Sequence, residues 1–125
     1  MKLERIHQIA VLSKDLNETI AFYKDKLGAR FIAQFDPPGL VFFEVGGTRL
    51  LFETTGPTAT IYLRVDDIDV AYQELLDRGV VFVDKPHPIF KDEQGTFGER
   101  GEEEWMTFFH DPSRNLLALA ARKKA

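Results

Sequence analysis

Apolar residues recur along this chain in two rhythms, a helical one and a strand one, and the pair of rhythms occurs twice. Leu16, Ile20, Tyr23 and Leu27 fall at helical spacing behind Asp15 and Glu18, which form a capping box for the first free amides. Gly28 suits the left-handed residue that stops a helix, so one helix is predicted from Asp15 to Gly28. Fifty-two residues after Asp15, Asp67 opens a second helical segment carrying Ile68, Ala71, Leu75 and Leu76 and ending at Gly79. Phe82 then stands where Phe31 stands after the first. A short apolar strand precedes each helix, Ile6 to Leu12 and Ile61 to Val65. Further strands follow: Phe42-Phe43 then Leu50-Leu51 around the turn Gly46-Gly47, and Phe108-Phe109 then Leu116-Leu117 around Asp111-Pro112-Ser113.

The plan is strand, helix and about three strands, performed twice within one domain spanning residues 1–125. Module one runs about 5–55 and module two about 59–121. One helix per module leaves one face of each sheet uncovered. The expected class is α+β: two tandem βαβββ modules whose curved mixed sheets enclose a cavity, with the helices outside. The same plan also fits a plain two-sheet domain without a site. Lys91 to Glu104, KDEQGTFGERGEEE, departs from both rhythms and reads either as a mobile lid or as a solvated hairpin tip.

Charge and composition narrow the partners. Twenty acidic residues against sixteen basic ones give −4, which argues against a nucleic-acid or anionic-membrane footprint. The absence of cysteine excludes disulfides, thiolate metal sites and thiol catalysis. The opening MKLERIHQIAVLSKD shows no secretory pattern, and no apolar run reaches the roughly 18 residues of a membrane helix. The expectation is a cytoplasmic protein with no membrane or nucleic-acid partner.

The signatures DLNETIAFYKDKLGARF and LRVDDIDVAYQELLDRGVVF and the closing HDPSRNLLAL resemble the vicinal oxygen chelate superfamily over nearly the whole chain. That superfamily includes glyoxalase I, methylmalonyl-CoA epimerase, extradiol dioxygenases and bleomycin-resistance proteins. The resemblance implies a homodimer. It also implies a divalent metal held by four His, Gln or Glu side chains, two from each module, with open positions for two adjacent substrate oxygens. Carried over position by position, the first ligand falls on Gln8, with His7 turned to the opposite face by strand alternation. The second falls on Leu51 or Phe52, the third on Thr60 and the fourth on Ala118. One ligand of four survives, so no metal ligand is assigned and no cofactor is expected, a divalent metal entering only through a displaced set.

The remaining candidates are Gln8, Glu53, Tyr62, His87 and Trp105. His87 is presented between Pro86 and Pro88, which fix the backbone on either side. Glu53 follows Leu50, Leu51 and Phe52; if buried it needs a partner such as Arg49, Arg64, His87 or a cation. Tyr62, Trp105 and several of the eleven phenylalanines suit a pocket for a flat apolar molecule. Gly46-Gly47-Thr48-Arg49 reads as a hairpin turn without the helix that phosphate binding needs. The expected function is binding of a small hydrophobic or aromatic molecule in the inter-sheet cavity without the usual metal. Two alternatives stand beside it. One is a metal-dependent lyase, isomerase or dioxygenase using Gln8, Glu53 and His87, with Glu104 as a further member. The other is a metal-free enzyme with His87 or Glu53 as general acid or base.

Overall fold

The structure, a computed structural model, describes residues 1–125. The strand, helix, three-strand order appears twice, as the repeat predicts, in an α+β chain. The first copy is β1 (Gln8–Leu12), α1 (Leu16–Ile20), β2 (Arg30–Phe35), β3 (Leu40–Val45) and β4 (Thr48–Glu53). The second is β5 (Thr60–Arg64), α2 (Ile68–Asp77), β6 (His87–Lys91), β7 (Glu102–His110) and β8 (Leu116–Lys124). Each copy makes a four-stranded mixed sheet of the same topology, β1-β4-β3-β2 and β5-β8-β7-β6, with the first pair of each parallel and the others antiparallel. The chain groups into two compact units. One holds residues 1–59 with the turn Asp111–Asn115, and the other holds 60–110 and 116–125.

In the first unit alternate strand residues form the core. Val11, Val41, Phe43, Leu50 and Phe52 are buried, and Phe22 and Tyr23 join them from the helical segment. The Tyr23 ring lies 4.5 Å from Phe52 and 5.8 Å from Phe43, and Phe31 meets Phe43 edge-on. Asp15 accepts from the Glu18 amide at 3.0 Å, as the capping box requires. The helix differs from the single α-helix expected up to Gly28. Beyond Ile20 it widens into π-helical turns over Ala21–Lys26, with the Leu27 amide reaching back five residues to Phe22 O at 3.1 Å. Gly28 then takes the left-handed conformation, φ 71°.

The turn Asp111–Asn115 is the polar heart of this unit. The Asp111 carboxylate accepts from the Ser113 and Asn115 amides, both at 2.9 Å, from Asn115 Nδ2 at 2.8 Å and from the Tyr23 hydroxyl at 2.8 Å. Asn115 Nδ2 also donates to Leu12 O, and Asn115 Oδ1 accepts from the Ala59 amide, each at 2.8 Å. Ser113 Oγ accepts from the Lys14 amide. Burial, followed by the Asp111 charge and hydrogen bond, pushes the Tyr23 hydroxyl far above its usual pKa. The D-P-x-x-N pattern is therefore a structural latch.

The segment after β4 passes close to β1, where Leu12 N donates to Pro57 O at 2.8 Å. A Cβ on Gly56 would stand 2.7 Å from Val11 O and 2.8 Å from Val11 C, backbone atoms that cannot swing aside. Gly56→Ala is expected to cost about 1–3 kcal/mol. Urea unfolding checks this, with the exposed neighbour Thr58→Ala as the neutral control; equal midpoints for the two variants would refute it.

In the second unit α2 begins at Asp67, whose side chain accepts from the Asp69 and Val70 amides. Ile68 and Leu75 are buried with Phe109, Leu117, Leu119 and Ala121. The rings of Tyr72, Phe82 and Phe109 meet in series, tilted and then edge-on, with centres 4.6 and 5.1 Å apart. Residues 92–101 connect β6 to β7 as the tip of a hairpin, with Lys91 and 102–104 already in the two strands. Asp92 accepts from the Thr96 and Phe97 amides. Arg122 binds Asp92 at 2.9 Å, Glu102 at 3.2 Å and Glu99 O at 3.1 Å. The Phe97 amide first, with Arg122 and the Thr96 amide, holds the Asp92 carboxyl down to about 2.

Candidate functional site

Strand alternation divides each sheet into two faces. In the first unit, the face opposite the helix presents three rows read from the register. Gln8, Arg49, Glu44 and Arg30 form the first, Ala10, Leu51, Phe42 and Ala33 the second, and Leu12, Glu53, Leu40 and Phe35 the third. Gln8 and Glu53 thus share a face but stand at opposite ends of it. Four residues along β4 separate Arg49 from Glu53, roughly 13 Å at 3.3 Å per residue. The Glu53 side chain makes no hydrogen bond or ion pair, and Arg49, one of its suggested partners, is occupied elsewhere.

Arg49 organises the first row. Its Nε donates to Gln8 Oε1 at 2.7 Å, its Nη2 lies 3.1 Å from His7 Nε2, and its guanidinium sits 5.4 Å from the centre of the Phe42 ring. Phe35 meets Phe42 edge-on at 5.9 Å. His7 precedes β1, so strand alternation does not turn it away from Arg49. Sequence reasoning did not single out Arg49 as a site residue. The signal was its two-residue offset from Leu51, which puts a cation on the ligand-bearing face.

The metal implied by the superfamily resemblance does not fit these residues. The Gln8 oxygen already accepts from a guanidinium, whose charge would repel a second cation. Leu51 and Ala118 carry no donor atom, Phe52 is buried in the core, and Thr60 offers one hydroxyl. No group of three or more His, Asp or Glu side chains that could hold a metal ion is found.

In the second unit the corresponding face carries Tyr62, Ala118 and Phe108 in one row and Arg64, Ala120, Met106 and His87 in the next. Tyr62 is 58% exposed and meets Phe108 edge-on at 6.3 Å. His87 Nδ1 lies 2.9 Å from Lys85 O and 3.6 Å from Asp84 Oδ2. Asp84 is in turn fixed by the Phe108 amide at 3.0 Å and the Thr107 hydroxyl at 3.2 Å. With its proton on Nδ1, the ring directs Nε2 away from these partners. Trp105 belongs to the other face of β7. Lys123 Nζ lies 3.9 Å over its ring and also bonds Asp69 of α2 at 2.6 Å. Tyr62 and Trp105, expected to line one pocket, are on opposite faces of their sheet.

Comparison with known proteins gives a consistent picture. The model of the Glyoxalase/Bleomycin resistance protein/Dioxygenase superfamily matches residues 5–119. The uncharacterized protein YraH of Bacillus subtilis is 24% identical over 92% of this chain and 96% of its own length. TnmS3, an antibiotic-binding protein from Streptomyces sp. CB03234, superposes with a TM-score of 0.75 at 22% identity, covering 98% of this chain and 99% of its own. Lactoylglutathione lyase from Agrobacterium tumefaciens superposes at 0.74 with 18% identity, covering 97% and 96%. These two structural likenesses show a shared fold, which serves a binder and an enzyme alike.

Proposed function

The chain belongs to the glyoxalase/bleomycin resistance protein/dioxygenase superfamily, and from that premise we propose that it binds a small aromatic or hydrophobic molecule without the superfamily's usual metal. One observation carries this reading. Of the positions that match the family's metal ligands, those on β4 and β8 are apolar and Gln8 is committed to Arg49, while Phe42 and Phe35 share that face of the sheet. Aromatic side chains supply a large, low-entropy contact area for a flat ligand. The antibiotic-binding neighbour gives the reading a precedent on the same fold. We place the protein in the cytoplasm as a homodimer.

Two measurements test it together. Elemental analysis after incubation with Mn, Fe, Ni, Co and Zn and desalting should find no metal retained near one per chain. A panel of flat apolar molecules should contain one whose addition raises Tm in proportion to the logarithm of its concentration, worth about 2.7 kcal/mol at 100 times Kd. Stoichiometric retention of one metal would overturn the metal-free reading.

A second reading rests on His87. The Asp84 and Lys85 contacts hold its ring as a base-orienting pair would, which supports metal-free acid–base chemistry. It predicts turnover that chelators leave untouched and that His87→Gln removes.

A further inference from the structure

We infer that the ligand carries an anionic group, a carboxylate or comparable oxyanion, and that Arg49 receives it on the face of the first sheet opposite the helix. The inference rests on the binding reading above and adds the charge of what is bound.

Arg49 and Arg122 are the two arginines withdrawn from full exposure. Arg122 is paired with Asp92 and Glu102, whereas Arg49 has no carboxylate partner. Its cross-strand neighbour Glu44 is turned away: one oxygen accepts from the Gly47 amide at 2.7 Å and the other lies 3.9 Å from Arg30. What holds Arg49 is not a carboxylate but the Gln8 amide oxygen, the His7 ring nitrogen and the Phe42 ring. These contacts fix the guanidinium plane without cancelling its charge. Nη1 and one hydrogen of Nη2 remain as donors, and an arginine fork of this kind pairs best with a planar oxyanion.

The surroundings reinforce the sign. A surface hollow of about 410 Å³ lined by Lys2, Leu3, Glu4, Arg5 and His7 adjoins this row through His7. Lys2 and Arg5 line that hollow with Glu4, and the nearer carboxylate, Glu44, is engaged by the Gly47 amide and Arg30. Beyond the guanidinium, Leu51 and the Phe42–Phe35 pair provide an apolar strip for the rest of the molecule. The fitting ligand class is an aromatic carboxylate with its acid group at Arg49.

The test uses the whole 15N-labelled chain with four probes: acetate, inorganic phosphate, 2-naphthoate and its neutral counterpart 2-naphthalenemethanol. Expected are a shift of the Arg49 Nε–H resonance with acetate and 2-naphthoate, and 2-naphthoate binding about tenfold or more tighter than the alcohol. Arg49→Gln should bring 2-naphthoate down to the alcohol's Kd and leave the alcohol unchanged, with Arg49→Lys between. Lys14→Gln, which removes an equal charge from an exposed position of the same unit, should leave the preference intact. A melting curve for Arg49→Gln matching the parent establishes that the loss is not unfolding. A larger Arg49 response to phosphate than to acetate would keep the site and assign it to phosphorylated ligands. Equal affinity for acid and alcohol with no Arg49 response to any anion would overturn the anionic group while leaving aromatic binding standing. An Arg49 response to acetate with neither aromatic bound would refute the binding reading and keep the anion site.

Discussion

Asp111→Ala is expected to lower the stability of the protein by about 3–5 kcal/mol, a large fraction of the roughly 5–15 kcal/mol margin of a folded domain. The carboxylate serves four donors at once, and two of them, the Tyr23 hydroxyl and Asn115 Nδ2, belong to side chains almost wholly removed from water. Each buried donor left without an acceptor carries a penalty of about 1–3 kcal/mol, moderated where water enters the space left behind. Tyr23→Phe removes one of those donors with little change of shape and should cost about 1–2 kcal/mol. In a double-mutant cycle the two changes should not add, because the second removes a bond the first has already broken. Urea unfolding of the four proteins decides the matter; a loss below about 1 kcal/mol for Asp111→Ala would mean that the latch is solvated rather than structural. The same pair sets the alkaline limit. The Tyr23 pKa is raised in the folded state, so its contribution is complete below the unfolded value near 10 and declines as pH rises past it. Tyr23→Phe should lack that decline.

Arg122→Met is expected to release the tip of the β6–β7 hairpin while leaving the rest of the second unit folded. The substitution strips the cation from Asp92, whose side chain is 3% exposed, and also frees Glu102 and Glu99 O. A carboxylate so enclosed does not stay charged without its partner, so the tip should open to hydrate it. Hydrogen exchange at the Thr96 and Phe97 amides, both donors to Asp92, should accelerate on the order of a hundredfold relative to amides in β8. Acid should do the same to the parent protein, with a defined sign. The Asp92 pKa is depressed on folding, so the stability it confers is present above the unfolded value near 3.9 and is lost as pH falls through about 2. In Arg122→Met the opening should move to higher pH. Unchanged protection at Thr96 and Phe97 would show that the two amide bonds alone hold the tip.

The repeat was legible because its signals are local. Asp15 and Asp67 cap the helices they precede, and the doublets Phe42-Phe43 and Phe108-Phe109 declare strands without reference to distant residues. What escaped depends on register. Arg49 becomes a site residue only when β1 is set beside β4 so that Gln8 faces it from 41 positions away. The face of Trp105 follows from its pairing with Ala121 across a strand whose start lies behind the charged hairpin tip. Asp111-Pro112-Ser113 reads as a turn, but nothing near it points to Tyr23, 88 residues earlier. The widened turns after Ile20 leave no mark either, since the same apolar spacing suits an ordinary helix.

The placement of Asp111–Asn115 in the first unit also fixes an order of events during synthesis. Residues 1–59 contain every strand of the first sheet, yet the acceptors for the Tyr23 hydroxyl and the Ala59 amide are encoded more than fifty positions downstream. At about 5–20 residues per second, several seconds separate the translation of Ala59 from that of Asn115. Throughout that interval the nascent amino-terminal half lacks the partners of two of its donors, and a chain truncated before Asp111 should leave the Tyr23 hydroxyl and the Ala59 amide without these acceptors.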